Sequence, residues 1–173
     1  MKLAAFSING KKTYGKINED FVVEAPSELL ARYNDISEAA NINGLKNLFD
    51  CWDSKNQYDL RDIKYLLPIA RPNKIICVGV NYPDRNAEYK DGSSLPQNPS
   101  LFIRFPSTFT AHLNPLIRPP ESDQLDYEGE IAIIIGTPGR RISIEDAIDH
   151  IAAFTLCNEG TIRDWLRHAK FNV

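Results

Sequence analysis

The stretch that most constrains this chain is Asp126-Tyr127-Glu128-Gly129-Glu130, which runs directly into Ile131-Ala132-Ile133-Ile134-Ile135 and is closed by Gly136 and Pro138-Gly139. An apolar, mostly β-branched run of this kind predicts a strand inside a core on both faces. Alternate residues of a strand point to one side, so Asp126, Glu128 and Glu130 are expected to share a face. Carboxylates at the mouth of a buried strand repel one another and lose hydration, so they need a bound cation or a proton. A hard divalent ion with oxygen ligands meets that need. On spacing alone, the commoner arrangement is a solvated strand end whose glutamates pair with lysines or arginines.

Two further segments bear on the choice. Cys157-Asn158-Glu159-Gly160-Thr161-Ile162-Arg163-Asp164 brings another carboxylate to a strand-to-helix junction and follows it with an Arg-Asp pair. An ordinary helix N-terminus, with Glu159 favouring the helix dipole, accounts for it equally. Gly79-Val80-Asn81-Tyr82-Pro83-Asp84-Arg85-Asn86-Ala87-Glu88 reads as a buried strand releasing a loop that returns as a short helix. There a solvated helix with Asp84, Arg85 and Glu88 as mutual partners is a sufficient explanation.

The rest of the chain supplies a frame. Leu3–Ile8 and Thr13–Ile17 flank Asn9-Gly10, a strong two-residue hairpin signal, and Phe21–Val23 is a third strand. Ser27–Tyr33 reads as a short helix, and Leu45, Leu48, Phe49 and Trp52 recur at the spacing of one buried helix face, most simply a core stripe. Pro68 and Pro72 mark a boundary between a small α+β unit over residues 1–70 and a second unit over 71–173. In the second unit, Ile75–Val80, Leu101–Phe105 and Ala152–Leu156 read as strands. Ile144–His150 reads as a helix opened by Ser143, and Thr161–His168 as helical.

Composition narrows the class. With 20 basic against 23 acidic residues, a net charge of −3 and no basic run, nothing suggests a grip on nucleic acid or an anionic membrane. The longest apolar stretch, Ile131–Ile135, is too short to span a bilayer. The opening residues stop being apolar at Ile8, so no secretory segment develops. Cys51, Cys77 and Cys157 are odd in number and lack any C-x-x-C, which predicts free thiols in a reducing cytoplasm.

Taken in order, the Gly79–Glu88 loop, the Asp126–Ile131 strand and the Asn158–Asp164 segment resemble the fumarylacetoacetate hydrolase superfamily, from about Lys74 onward. That family shows G-x-N-Y-x-x-H-x-x-E, D-Y-E-x-E-L and N-D-x-S-x-R-D segments, and the chain resembles its bacterial 2-hydroxyhepta-2,4-diene-1,7-dioate isomerases and related hydrolases. The resemblance implies an α+β, mostly β fold: a small N-terminal α+β unit, then an incomplete mixed β-roll of that type. It implies a divalent-metal enzyme, Mg²⁺ or Mn²⁺ with Ca²⁺ also admitted, acting on small 2-oxo or 2-hydroxy-dienoic acids through a metal-stabilised enolate. Glu128, Glu130 and Glu159 match the metal ligands, with Glu159 where the family usually has Asp. Glu88 matches the acid of a catalytic His–Glu dyad. Arg104 stands where many relatives carry a substrate-side lysine, Tyr82 belongs to the substrate loop, and Arg163 and Asp164 match a pair that braces the site. A homodimer is the family expectation.

Two departures qualify this. Arg85 replaces the dyad histidine and cannot shed a proton near neutral pH, so it suits binding a distal carboxylate better than acting as a base. His112 is a conceivable substitute, although a lone loop histidine is more often a surface residue. Family members also continue through a Gly-Lys stretch, so the chain is expected to be a fragment, a truncated product or one part of a shared fold. Catalysed proton movement, isomerisation, decarboxylation or C–C hydrolysis all fit. A catalytically defective relative or subunit, and a sugar-acid dehydratase of the same superfamily, are the alternatives.

Overall fold

Asn9 and Gly10 both occupy the left-handed region, at φ 50° and 79°, which gives a two-residue turn the twist a hairpin requires. Across it β1 (Leu3–Ile8) and β2 (Lys11–Asn18) pair antiparallel, Ile8 opposite Lys11 and Leu3 opposite Lys16. β3 (Phe21–Glu24) continues the meander, β4 (Gln57–Asp59) adds to β3, and β5 (Lys64–Tyr65) takes the other edge of β1. The resulting order is β4-β3-β2-β1-β5. The computed structural model describes residues 1–50, 52, 54–82 and 97–165. Arg85, Glu88, Cys51 and the end of the expected Thr161–His168 helix lie outside the described residues.

Three helices pack on the first sheet: α1 (Ser27–Arg32), α2 (Ile36–Ala39) and α3 (Ile42–Asp50). Leu29, Ile36, Ala39 and Leu48 meet Ala5 and Tyr14 in one cluster, with Leu45 and Trp52 packed at its edge. The expected stripe is therefore core, although the Phe49 side chain lies outside the described residues. Asp35 caps α2 by accepting from the Glu38 N–H at 3.0 Å, as a residue with extended backbone and a short carboxylate does. Tyr14 is buried, and its hydroxyl donates to the carbonyls of Leu29 at 3.1 Å and Tyr33 at 3.2 Å, tying β2 to the end of α1. Burial pushes that hydroxyl up to about 12. Glu24, only 1% exposed, accepts from Lys11 at 3.0 Å, Asn56 at 3.1 Å and Tyr58 at 3.3 Å. Burial alone raises its carboxyl, and the Lys11 and Asn56 donors outweigh that, leaving it below the usual range.

Beyond residue 74 the described chain forms three two-stranded ladders, all antiparallel. β6 (Ile76–Gly79) pairs with β7 (Ser100–Ile103), β8 (Leu125–Asp126) with β11 (Thr161–Ile162), and β9 (Gly129–Ile135) with β10 (Ile151–Asn158). At Gly136 a Cβ would come within 2.6 Å of the Ala40 carbonyl oxygen, so only glycine lets the end of β9 approach the end of α2 so closely.

Four expectations change here. The Asp126–Ile135 strand is two: β8 stops at Asp126, β9 begins at Gly129, and each takes a different partner. β9 is not buried on both faces, because Ile131, Ile133 and Ile135 are 66%, 53% and 61% exposed. Among the described residues β9 has only β10 beside it and no layer over that face, so apolarity alone does not bury it. Ile144–His150 gives only a 3-10 turn at Ala147–His150, with Ile148 exposed. Ser143 Oγ does accept from the Asp146 N–H, but so short a segment with no packed face does not nucleate an α-helix. Finally, Thr161 and Ile162 form strand β11 rather than the start of a helix, drawn into register with Asp126 and Leu125.

Candidate active site

The break between β8 and β9 is where the acidic residues gather. Tyr127 and Glu128 leave the ladder there, and the chain is held to the end of β10 by one backbone and one side-chain bond: Glu159 N–H donates to the Glu128 carbonyl at 2.8 Å, and Glu128 N–H donates to the Asn158 side-chain Oδ1 at 3.0 Å. Glu130, opposite Cys157, follows two residues later. The turn between them is gripped by Tyr82, whose hydroxyl donates to the Gly129 carbonyl at 2.8 Å. The E-x-E segment and the N-E-G segment are therefore brought together by the ladder, one further main-chain bond and the Asn158 side chain.

The arginines then divide the carboxylates. Arg104, at the end of β7, donates through Nε to Glu159 Oε1 at 2.7 Å and also bonds it through Nη2, with its guanidinium 5.5 Å from the Phe102 ring centre. Arg163 donates through Nε to Asp126 Oδ2 at 3.0 Å and pairs with Glu128. Asp164 accepts from the buried Ser122 hydroxyl at 2.7 Å, and Ser122 Oγ accepts from the Gln124 N–H at 3.0 Å, which fixes the approach to β8. Glu130 has no hydrogen bond or ion pair among the described residues, and burial, then Glu128 and Glu159, push its carboxyl above the usual range. Among the described residues no set of three or more His, Cys, Asp or Glu side chains is drawn together tightly enough to hold a metal ion.

Several participants were not singled out from sequence. Asp126, by its spacing a strand neighbour of the glutamates, is a partner of Arg163. Asn158 and Ser122 act as anchors; their signals were adjacency, Asn158 just before Glu159 and Ser122 just before the β8 strand. Cys77 and Cys157 are free thiols, and burial raises both. Beside Glu130 lies an open hollow of about 530 Å³ lined by His112, Gly129, Glu130, Ile131, Leu156, Cys157 and Asn158. Arg85 and Glu88 lie outside the described residues.

Beyond residue 74, then, three antiparallel ladders bring Asp126, Glu128 and Glu159 against Arg104 and Arg163. The chain belongs to the fumarylacetoacetate hydrolase family: residues 74–173 match the family described as Fumarylacetoacetate (FAA) hydrolase C-terminal. It is similar to oxaloacetate tautomerase YisK of Bacillus subtilis (strain 168), 42% identical over 120 residues that cover 67% of this chain and 40% of that protein. Fumarylacetoacetate hydrolase (EaFAH) from psychrophilic Exiguobacterium antarcticum superposes with a TM-score of 0.73 at 26% identity, covering 96% of this chain and 58% of that one. Maleylpyruvate hydrolase from Sphingobium sp. SYK-6, solved with manganese (II) ion and pyruvate, gives 0.69 at 21% identity, covering 94% and 60%. The chain thus spans less than two-thirds of each of these proteins. The α+β, mostly β fold of this family is the one observed. No helix among the described residues is long and apolar enough to cross a membrane.

Proposed function

We propose that this chain carries the metal-holding and substrate-orienting part of an enzyme that moves a proton between the keto and enol forms of a small 2-oxo acid. Glu130 is the observation that carries the reading. It is a half-buried carboxylate without a cationic partner among the described residues, and its neighbours Glu128 and Glu159 make its charge still costlier. Around it, Asp126, Glu128, Glu130 and Glu159 face only Arg104 and Arg163 among the described cations that pair with them. Such an oxygen-donor set with surplus negative charge suits a hard divalent ion. As they stand these carboxylates are not drawn together, because Arg163 holds Glu128 and Arg104 holds Glu159; Glu128, Glu130 and Glu159 would hold the ion, Mg²⁺ or Mn²⁺ before Ca²⁺, once those arginines let go. When bound, the ion supplies Lewis-acid stabilisation of the negative charge that develops as a C–H bond breaks.

The remaining roles fall to the chain itself. Arg104 presents a planar guanidinium at the mouth of the site and binds a substrate carboxylate bidentately once it leaves Glu159. Arg163 clamps Asp126 and Glu128, Asp164 anchors that clamp on Ser122, and Tyr82 orients the Gly129 turn. Arg85 and Glu88 are assigned from their motif alone, as carboxylate clamp and proton carrier. The likeness to an oxaloacetate tautomerase, and to a hydrolase solved with manganese and pyruvate, supports the substrate class.

The test combines Mn²⁺ calorimetry with loss of the enol absorbance of oxaloacetate. Glu130→Ala is expected to abolish both signals; unchanged turnover in Glu130→Ala or Glu128→Ala overturns the assignment. A second reading, a non-catalytic relative serving as a subunit, is favoured by the arginines already seated on Glu128 and Glu159. A purified protein that folds but gives no heat with Mn²⁺ supports that reading instead.

A further inference from the structure

His112 occupies a place that its sequence surroundings do not announce. It stands in a tight turn closed by the Asn114 N–H donating to the Ala111 carbonyl at 3.1 Å. The next residue, Leu113, has φ 65°, a left-handed conformation that costs a branched-chain residue energy and persists only where the surroundings enforce it. Although His112 and Leu113 are both exposed, the His112 imidazole meets the Tyr65 ring edge-on, centroids 5.0 Å apart and planes at 90°. Tyr65 belongs to β5, the edge strand of the N-terminal sheet, so that sheet positions a side chain of the second unit. The ring nitrogens of His112 have no hydrogen-bond partner among the described residues, and His112 lines the same hollow as Glu130 and Asn158.

We infer that His112 is a catalytic proton carrier, held by Tyr65 over the hollow beside Glu130, for 2-oxo acids with an acidic hydrogen on C3. The inference rests on the function proposed above. Imidazole is the side chain suited to take up and return a proton near neutral pH, which Arg85 cannot do. In the step, the C3–H bond of the keto acid breaks and the proton passes to a His112 nitrogen. The C–H electron pair becomes the C2=C3 bond, and the carbonyl π pair moves onto the C2 oxygen. Imidazolium then gives the proton to that oxygen, leaving the enol and neutral imidazole. No oxidant or second reactant is consumed.

The experiment follows exchange of the C3 hydrogens of oxaloacetate with D₂O by NMR, alongside Mn²⁺ calorimetry, in the native protein, His112→Gln and His112→Gly. The expected result is an exchange rate about 100-fold lower in His112→Gln, in the range that positioned acid–base groups contribute. KM and Mn²⁺ affinity should be unchanged, and added imidazole should restore exchange in His112→Gly, which a merely structural residue would not show. Native exchange with an equally fast His112→Gln overturns the role of His112 and leaves the proposed function standing. Loss of Mn²⁺ binding in both variants, without rescue by imidazole, also overturns it. A native protein that neither binds Mn²⁺ nor exchanges the C3 hydrogens removes both readings together.

Discussion

Glu130 and Glu24 are two partly or fully buried carboxylates with opposite solutions. Glu24 is surrounded by donors, so folding favours its charged form; Glu130 is surrounded by like charge, so folding favours its protonated form. Opposite predictions follow. Because the folded-state proton affinity of Glu24 is depressed, its stabilisation is present above the ordinary carboxylate range and is lost as pH falls through its lowered value. Thermal melts taken from neutral to acid pH should therefore lose stability steeply in the native protein, and the slope should flatten in Glu24→Gln, which starts less stable. For Glu130 the raised affinity means the ionised form opposes folding at neutral pH. Glu130→Gln should raise the denaturation midpoint, by an amount on the order of 0.5–2 kcal/mol as is common when a functional compromise is removed, while Mn²⁺ binding disappears. A lowered midpoint would argue that Glu130 has a stabilising partner. Sequence order brings the Glu128–Glu130 and Glu159 segments side by side, but it does not reveal that Asp126 and Arg163 pair, because that contact depends on a strand break no local pattern announces.

At the level of elements, legibility tracks how much of the signal is local. The Asn9-Gly10 hairpin, the Ser27–Arg32 helix and the Leu48 face were readable because turn chemistry and helical period act over a few residues. The division of Asp126–Ile135 into β8 and β9 was not, since it is set by which partner strand each half finds, β11 or β10. The Tyr14 hydroxyl gives an element-scale test. It serves the carbonyl end of α1, and Tyr14→Phe leaves the Leu29 and Tyr33 carbonyls without that donor inside the core. The expected cost is about 1–2 kcal/mol in urea unfolding, within the usual range for a buried hydrogen bond lost from one side. Gly10→Ala should cost about 1 kcal/mol more simply, because alanine resists the φ of 79° that the turn demands.

Over the whole molecule, burial is unevenly shared. All of the fully buried apolar side chains among the described residues, Phe6, Tyr14, Val22 and Leu48 included, belong to the first 48 residues. The strands beyond residue 74 leave Ile76, Leu101, Ile133, Phe154 and Leu156 exposed. Apolar faces of this extent mark association surfaces. Light scattering on the purified chain should therefore detect self-association, and Ile133→Thr with Leu156→Thr should reduce it without disturbing the N-terminal melt. Amide protons of β1, β2 and β3 should resist exchange with solvent deuterium for as long as the molecule stays globally folded, whereas those of β9 and β10 should exchange through local openings. The ladders beyond residue 74 would then breathe against a quiet foundation, and the His112–Tyr65 ring contact is one point at which that stillness passes to them.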